Sequence, residues 1–265
     1  MNKKRKVSLE EMKTIQLNLL NKIHQFCINN NIRYSLCGGT LLGAVRHKGY
    51  IPWDDDIDIF MPRPDYERFF ASFNGSYDNM VAQCYLNDQA IYFSFGKVYD
   101  SRTIFIEKDA CRTGVYVDVF PIDGMPDSVE ESEKMRYTTY LFEETLKNTT
   151  KYYKIDGRFS SFVKYYLKVL YYPSRKKTIK NYYELINKFN FDESEYAGVY
   201  YTRYGLRERL KSSVFKTFID IPFEGTLFKC IADYDTYLTS LYGDYMKLPP
   251  IEKQHGHHPH KAYWK

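Results

Sequence analysis

No apolar run in this 265-residue chain reaches the roughly 18 residues that mark a transmembrane helix. The opening stretch, MNKKRKVSLEEMK, has no apolar segment of the kind a secretory leader needs. It is basic and then carries a capping box from Ser8 to Glu11, so a cytoplasmic protein is expected. Cysteine is sparse and never arranged as C-x-x-C: Cys27, Cys37, Cys84, Cys111 and Cys230 stand singly in mostly apolar surroundings. An odd, scattered set argues against a disulfide frame or a zinc site and fits reduced, buried thiols. A strong charge imbalance is missing too. The net charge of +5 is modest, basic residues are interleaved with acids, and no nucleic-acid motif is present, so nucleic acid is not an expected partner. There is no internal repeat, and a hydrophobic content of 44% suffices for a sizeable core in one domain, or one domain with an appendage.

What the chain does have is concentrated in residues 37–60, CGGTLLGAVRHKGYIPWDDDIDIF. Residues 34–37 read as a short buried strand, followed by Gly38 and Gly39 where main-chain amides must approach a ligand without side-chain obstruction. Thr40 is the expected N-cap of a brief helix with Leu41, Leu42 and Val45 as its buried stripe and Gly49 as its stop. A helix N-terminus behind two glycines suits an anion such as a diphosphate. Arg46, His47 and Lys48 have two readings: Arg46 contacts phosphate, or the trio complements the helix C-terminus. On the next strand, alternation sends Asp56 and Asp58 to one face while Ile57 and Ile59 face the core. Two carboxylates ionised side by side repel, and a divalent cation relieves the repulsion. Oxygen ligands with no imidazole or thiolate nearby favour Mg2+ or Mn2+.

A strand-GG-helix followed by D-h-D resembles the nucleotidyltransferase superfamily, and the fuller run GGTLLGAVRHKGYIPWDDDIDI resembles the LicD family, itself related to the fukutin proteins. The resemblance implies a third carboxylate on a later strand. Asp118 in VYVDVF fits, with Val117 and Val119 facing the core and Pro121 ending the strand. Asp123, which precedes Gly124, reads more simply as a turn residue. Lys97, in FGKVY, is similar to a family position where a basic residue near the diphosphate is expected. Asp54 and Asp55, after Pro52 and Trp53, either cap the start of the strand, bind a cationic head group or orient water; the competing reading is a pair of solvated loop aspartates. Trp53 would offer a cation-π face to such a head group.

The resemblance further implies transfer of phosphocholine, or a similar phospho-alcohol or phosphonoalkyl group, from a CDP- or CMP-activated donor to a glycan or lipid-linked glycan hydroxyl. Phosphoryl transfer asks the protein for positioning and charge neutralisation, here by a cation on Asp56, Asp58 and Asp118. The acceptor hydroxyl needs a base, for which Asp118 is nearest.

The expected fold is α+β, a nucleotidyltransferase-like mixed sheet flanked by helices. Residues 1–125 form the catalytic core, and residues 126–265 a helical region and C-terminal segment completing the cleft. A first helix over residues 9–30 carries Leu9, Met12, Ile15, Leu19, Ile23 and Phe26 at helical spacing. Strands are expected near Tyr34, Asp56, Val81, Ile91, Ile104 and Val115, with a helix over 65–73. Residues 128–191 read as helical and rich in Tyr and Lys. A hairpin over 214–227 turns at Glu224-Gly225, and a helix runs through Tyr234, Leu238 and Leu241. The aromatic run 162–172, followed by Arg175, Lys176, Lys177 and Lys180, reads either as a helical cap or as a perch on an anionic membrane. The tail, with YGDYM at 242–246 and two prolines at 249–250, resembles the family's ending. It is expected to fold back over the site and bring Lys253 and His258 to the donor.

Overall fold

The computed structural model describes residues 4–88, 91–106, 112–150, 174–255 and 262–265. Among them it has six α-helices and twelve short strands, the α+β class expected. Helix α1 (Leu9–Asn29) begins at Ser8, whose hydroxyl accepts from the Glu11 amide while the Glu11 carboxylate accepts from the Ser8 amide. Met12, Ile15, Leu19, Ile23 and Phe26 form its buried stripe. Leu9, expected on that stripe, is exposed because it lies in the first turn, before the helix reaches the sheet.

The central sheet is built on β1 (Ser35–Leu36), β2 (Asp58–Pro62), β7 (Tyr116–Met125), β4 (Gly96–Asp100) and β3 (Met80–Gln83), in that spatial order. Only the β2–β7 pairing along this path is parallel. The connection from β2 begins with α3 (Arg63–Ser72), whose Pro64 sits in the first turn, where its missing N–H has no intrahelical partner to lose. No strand forms at Ile91. That residue packs instead with Tyr85, Phe142, Leu146, Tyr182 and Ile186 in a small separate core.

Strand β7 runs through Pro121 rather than stopping there. Its pairing with β4 ends at Gly96↔Val119, so the missing N–H of Pro121 interrupts no ladder on that side. Farther along, Asp123, Gly124 and Met125 pair with β8 (Tyr196–Gly198), which in turn pairs with β9 (Leu210–Lys211). Asp123 is therefore a buried strand residue and not part of a turn. Its carboxylate takes two hydrogen bonds from Arg63, at 2.6 and 2.8 Å.

A hairpin of β10 (Phe218–Phe223) and β11 (Thr226–Ile231) turns at Glu224 and Gly225, both with positive φ, 49° and 75°. That is the turn geometry matched to strand twist, with strands placed a few residues later than the sequence suggests. It packs beside β1, where the Ile231 amide donates to Ser35 Oγ at 2.9 Å. β5 (Thr103–Ile106) joins β6 (Arg112–Thr113) and the C-terminal β12 (Ala262–Trp264). The four described cysteines, Cys27, Cys37, Cys84 and Cys230, are free and buried; Cys111 lies outside the described residues.

Of the expected helical region, α4 (Val129–Thr150) and α5 (Arg175–Ile186) are described and meet through Phe142 and Tyr182, whose rings stack at 3.9 Å. The aromatic run 162–172 lies outside the described residues. Glu143 fastens α4 to the segment leading into β4: it is 5% exposed and accepts from the Ser94 amide at 2.6 Å and hydroxyl at 2.5 Å. Burial pushes its carboxyl up to about 7 despite these bonds. The folded state thus holds a proton that an unfolded chain gives up near pH 4.5. Between those values the native state binds more protons, so stability is fully present below about pH 4.5 and declines as pH rises to about 7, by about 3 kcal/mol at most. Melting temperatures at pH 5, 6, 7 and 8 should fall with pH in the wild type and fall less steeply in Glu143→Gln. Equal slopes would remove Glu143 from the explanation.

Candidate active site

The chain enters the site from β1. Gly38 has φ +51°, and α2 (Gly38–His47) begins there with Cys37 as its N-cap. Thr40, expected as the cap, lies inside the helix and is buried. Its hydroxyl does other work, accepting from the Asp58 amide at 2.9 Å. The Cys37 amide donates to the Asp58 carbonyl at 3.1 Å, so both main-chain groups of Asp58 are clamped to the start of α2. Gly39 answers a steric need, and Gly38 a conformational one through its positive φ. A Cβ on Gly39 would stand 2.7 Å from Asp54 Oδ2, and one on Gly38 would stand 3.6 Å from Asp58 Oδ2 and 3.9 Å from the Tyr242 hydroxyl. The first turn of α2 therefore lies directly against the carboxylates.

Register places the acids in a row. Asp58 on β2 is the Cα partner of Asp118 on β7, and Asp118 is in turn the partner of Lys97 on β4. Lys97 is almost fully buried, and its Nζ lies 2.9 Å from Asp118 Oδ1 and 3.4 Å from the centre of the Tyr116 ring. Asp56 precedes the strand; it is half-buried like Asp54 and Asp58, while Asp55 and Ile57 are buried, so the alternation expected of a strand begins before the strand does. Burial first, and then the charges of Asp56, Asp118 and Asp54, push the Asp58 carboxyl well above its usual range, with Lys97 opposing them. Burial likewise raises Asp54, while the Asp55 amide and the Arg203 charge pull it back.

The acidic group that closes most tightly among the described residues is Asp54, Asp55 and Asp56, with carboxylate oxygens all within 4.8 Å of one another. Asp58 adjoins it, and Asp118 is tied to Lys97. An all-oxygen donor set in which burial, and then neighbouring acids, raise Asp54 and Asp58 fits a hard divalent cation. Asp55 is buried, its carbonyl accepting from Gln16 on α1 at 3.0 Å. Trp53 is half-buried and meets His47 edge to face at 6.4 Å.

Arg46 takes up the second of its two readings in an altered form. Its Nη1 donates to the Tyr245 carbonyl at 2.8 Å and its Nε to His47 at 2.9 Å, so it fastens the C-terminal segment to the end of α2. That helix stops at Lys48, in the left-handed region with φ 60°, one residue before the expected Gly49. A Cβ on Gly49 would meet Glu224 Oε1 at the hairpin tip, the end of an exposed side chain that can move aside. Lys253 lies exposed in a short 3-10 turn (Ile251–Lys253), and His258 lies outside the described residues.

The first turn of α2 is met by the helix expected through Tyr234, Leu238 and Leu241. α6 (Tyr234–Tyr242) brings Tyr237, whose hydroxyl accepts from the Gly38 amide at 3.4 Å, and Tyr242, which exchanges a 3.0 Å hydrogen bond with Tyr204. Glu208, which accepts from the Thr202 hydroxyl at 3.3 Å, is a buried acid pushed up to about 7, mainly by burial. Only Tyr242 stood in a stretch that sequence reasoning singled out for the site, the YGDYM run.

Residues 31–158 match the family model described as LicD/FKTN/FKRP, nucleotidyltransferase domain. The lipopolysaccharide cholinephosphotransferase LicD of Haemophilus influenzae is 33% identical over 277 residues, covering 98% of this chain and 99% of that protein. An uncharacterized protein of Rickettsia typhi is 45% identical over 62 residues, 23% of this chain and 20% of its own. Similarity along nearly the whole length of the Haemophilus protein, together with the matched domain, shows that the chain belongs to the LicD family.

Proposed function

We propose that this protein transfers phosphocholine, or a closely related phospho-alcohol, from a CDP-activated donor to a hydroxyl of a cell-surface glycan and releases CMP. The observation that carries the proposal is the cross-strand row of Asp58, Asp118 and Lys97 set against a glycine-started helix, in a chain similar end to end to a lipopolysaccharide cholinephosphotransferase. Asp56, Asp58 and Asp54, with Asp118 beside them, are the residues that would hold Mg2+ or Mn2+. Once bound, such an ion supplies neutralisation of the charge that builds on the donor phosphates.

The chain's own groups do the rest. The first turn of α2 lies where an anion is favoured; the Gly38 amide there already donates to Tyr237, which leaves the amides that follow it to meet the anion. Asp118, fixed by Lys97 Nζ at 2.9 Å, accepts the proton of the acceptor hydroxyl as its oxygen bonds to the distal phosphorus. The bond from that phosphorus to the CMP oxygen breaks, and CMP leaves with the electron pair. Trp53 and Asp54, both half-buried beside the acidic cluster, suit a cationic head group. Among the described residues no helix is long and apolar enough to cross a membrane, and a lipid-linked glycan acceptor would be reached by peripheral contact.

Incubation with CDP-choline, CDP-ethanolamine or CTP, with and without Mg2+ and a lipopolysaccharide acceptor, tests this reading. CMP should appear from one CDP-alcohol only when acceptor and Mg2+ are both present. Pyrophosphate released from CTP would replace the proposal with nucleotidyl transfer, and glycan binding without turnover of any donor would replace it with a noncatalytic glycan-binding role.

A further inference from the structure

Of the basic side chains near the acidic cluster, two are already engaged: Lys97 with Asp118 and Arg46 with the carbonyls of the C-terminal segment. Arg203 is different. It stands in the segment between β8 and the short 3-10 helix Gly205–Glu208, and its side chain is exposed. Its Nη2 donates to the Tyr204 hydroxyl at 3.0 Å, and its guanidinium carbon lies 5.1 Å from the centre of the same ring. Tyr204 meets Tyr242 edge to face at 5.4 Å and through their hydroxyls at 3.0 Å. Tyr242 Oη in turn lies 3.9 Å from where a Cβ on Gly38 would stand. A chain of two tyrosines thus runs from the guanidinium to the glycine turn that opens α2.

That Gly38 Cβ position lies 3.6 Å from Asp58 Oδ2, so the tyrosine link ends beside the acids, yet no carboxylate among the described residues lies within ion-pairing distance of Arg203. An arginine kept only for charge balance would close onto one of these acids, since a bidentate pair with a carboxylate is its strongest contact. Instead its exposed side chain rests against the Tyr204 ring and hydroxyl, which restricts the fork before any ligand binds. A group that fits between a row of acids and a held-off guanidinium is a doubly charged anion, bridging a cation on one side and the arginine fork on the other.

We propose that Arg203 grips the diphosphate of the activated donor, the role that the sequence suggested for Arg46, with Tyr204 and Tyr242 as its positioning residues. This rests on the donor reading above. Binding of CDP, CMP and cytidine in Mg2+, measured by calorimetry on the full chain, tests it. Arg203→Ala should weaken CDP about 10- to 100-fold, the range for a charge-assisted contact, leave cytidine unchanged, and leave the melting temperature unchanged, as befits an exposed side chain. Arg203→Lys should fall between, because an ammonium keeps the charge and loses the fork. Unchanged CDP affinity in Arg203→Ala, or an equal loss for cytidine and CDP, would overturn the assignment. Arg203-dependent CDP binding without CMP release from any CDP-alcohol would reject the transfer reading and leave the assignment standing. CMP release by both wild type and Arg203→Ala at equal rates would reject the assignment alone, and absence of CDP binding by the wild type would reject both.

Discussion

Asp58→Asn is expected to lower the proposed phospho-alcohol transfer by about three orders of magnitude, the scale seen when an electrostatic stabiliser of a transition state is removed, while making the metal-free protein more stable. The two effects share a cause. Asp58 is pressed by burial and by the charges of Asp56, Asp118 and Asp54, so a neutral side chain of the same shape relieves repulsion, worth about 1 kcal/mol across a partly solvated cleft. Geometry supports a clean replacement, because the Asp58 main chain is held by Thr40 and Cys37 and does not depend on the carboxylate. The measurement is a melting curve with and without Mg2+ beside a rate assay. Wild type should gain stability with Mg2+ as any native-state ligand demands, and Asp58→Asn should gain little. A variant that melts lower than wild type without metal would remove the crowded-acid argument, and one that keeps the wild-type rate would remove Asp58 from the chemistry.

Much of this site was legible because its parts are local. Gly38 and Gly39, the acids at 54–58 and the alternation around Asp118 each follow from spacing over a few residues, and the period of two in β7 was enough to put Asp118 on the face opposite Val117 and Val119. The register that makes Asp58 and Asp118 neighbours is a tertiary fact, available beforehand only through family resemblance. Elsewhere local signals pointed the wrong way. Pro121 and Asp123-Gly124 look like a turn, but β8 arrives from more than seventy residues later to pair there, and Arg63 neutralises the acid. Thr40 has the chemistry of a cap and is used as an acceptor inside the helix, because the positive φ of Gly38 lets α2 start earlier. Arg46 finds its carbonyl 199 residues away, a separation over which no spacing rule operates. Arg203 was invisible for the same reason: what distinguishes it is the Tyr204–Tyr242 link, which exists only once α6 is packed on α2.

The misread Asp123 also sets the largest expected change in stability. Arg63 and Asp123 are 5% and 2% exposed, and their two parallel hydrogen bonds at 2.6 and 2.8 Å form the bidentate geometry that makes arginine–carboxylate pairs strong. Burial works against the Arg63 charge, but Asp123 more than offsets it and holds the guanidinium above its usual range. Asp123→Ala would strand that cation away from water, at a cost of about 3 to 5 kcal/mol, enough to remove much of the stability of a typical domain. Arg63→Met combined with Asp123→Leu should recover most of the loss, since a packed apolar pair in place of a buried ion pair is often neutral. The pair also matters for the site. Arg63 opens α3 directly after β2, and the Ile122 beside Asp123 is the register partner of Pro62, so the ion pair locks the parallel β2–β7 ladder that sets Asp58 opposite Asp118. The double variant should therefore fold and yet carry out the proposed transfer more slowly than wild type. Urea melts of the three variants would decide it: an Asp123→Ala midpoint equal to wild type would mean that water or another group already satisfies Arg63, and that the β2–β7 register is held by the ladder alone.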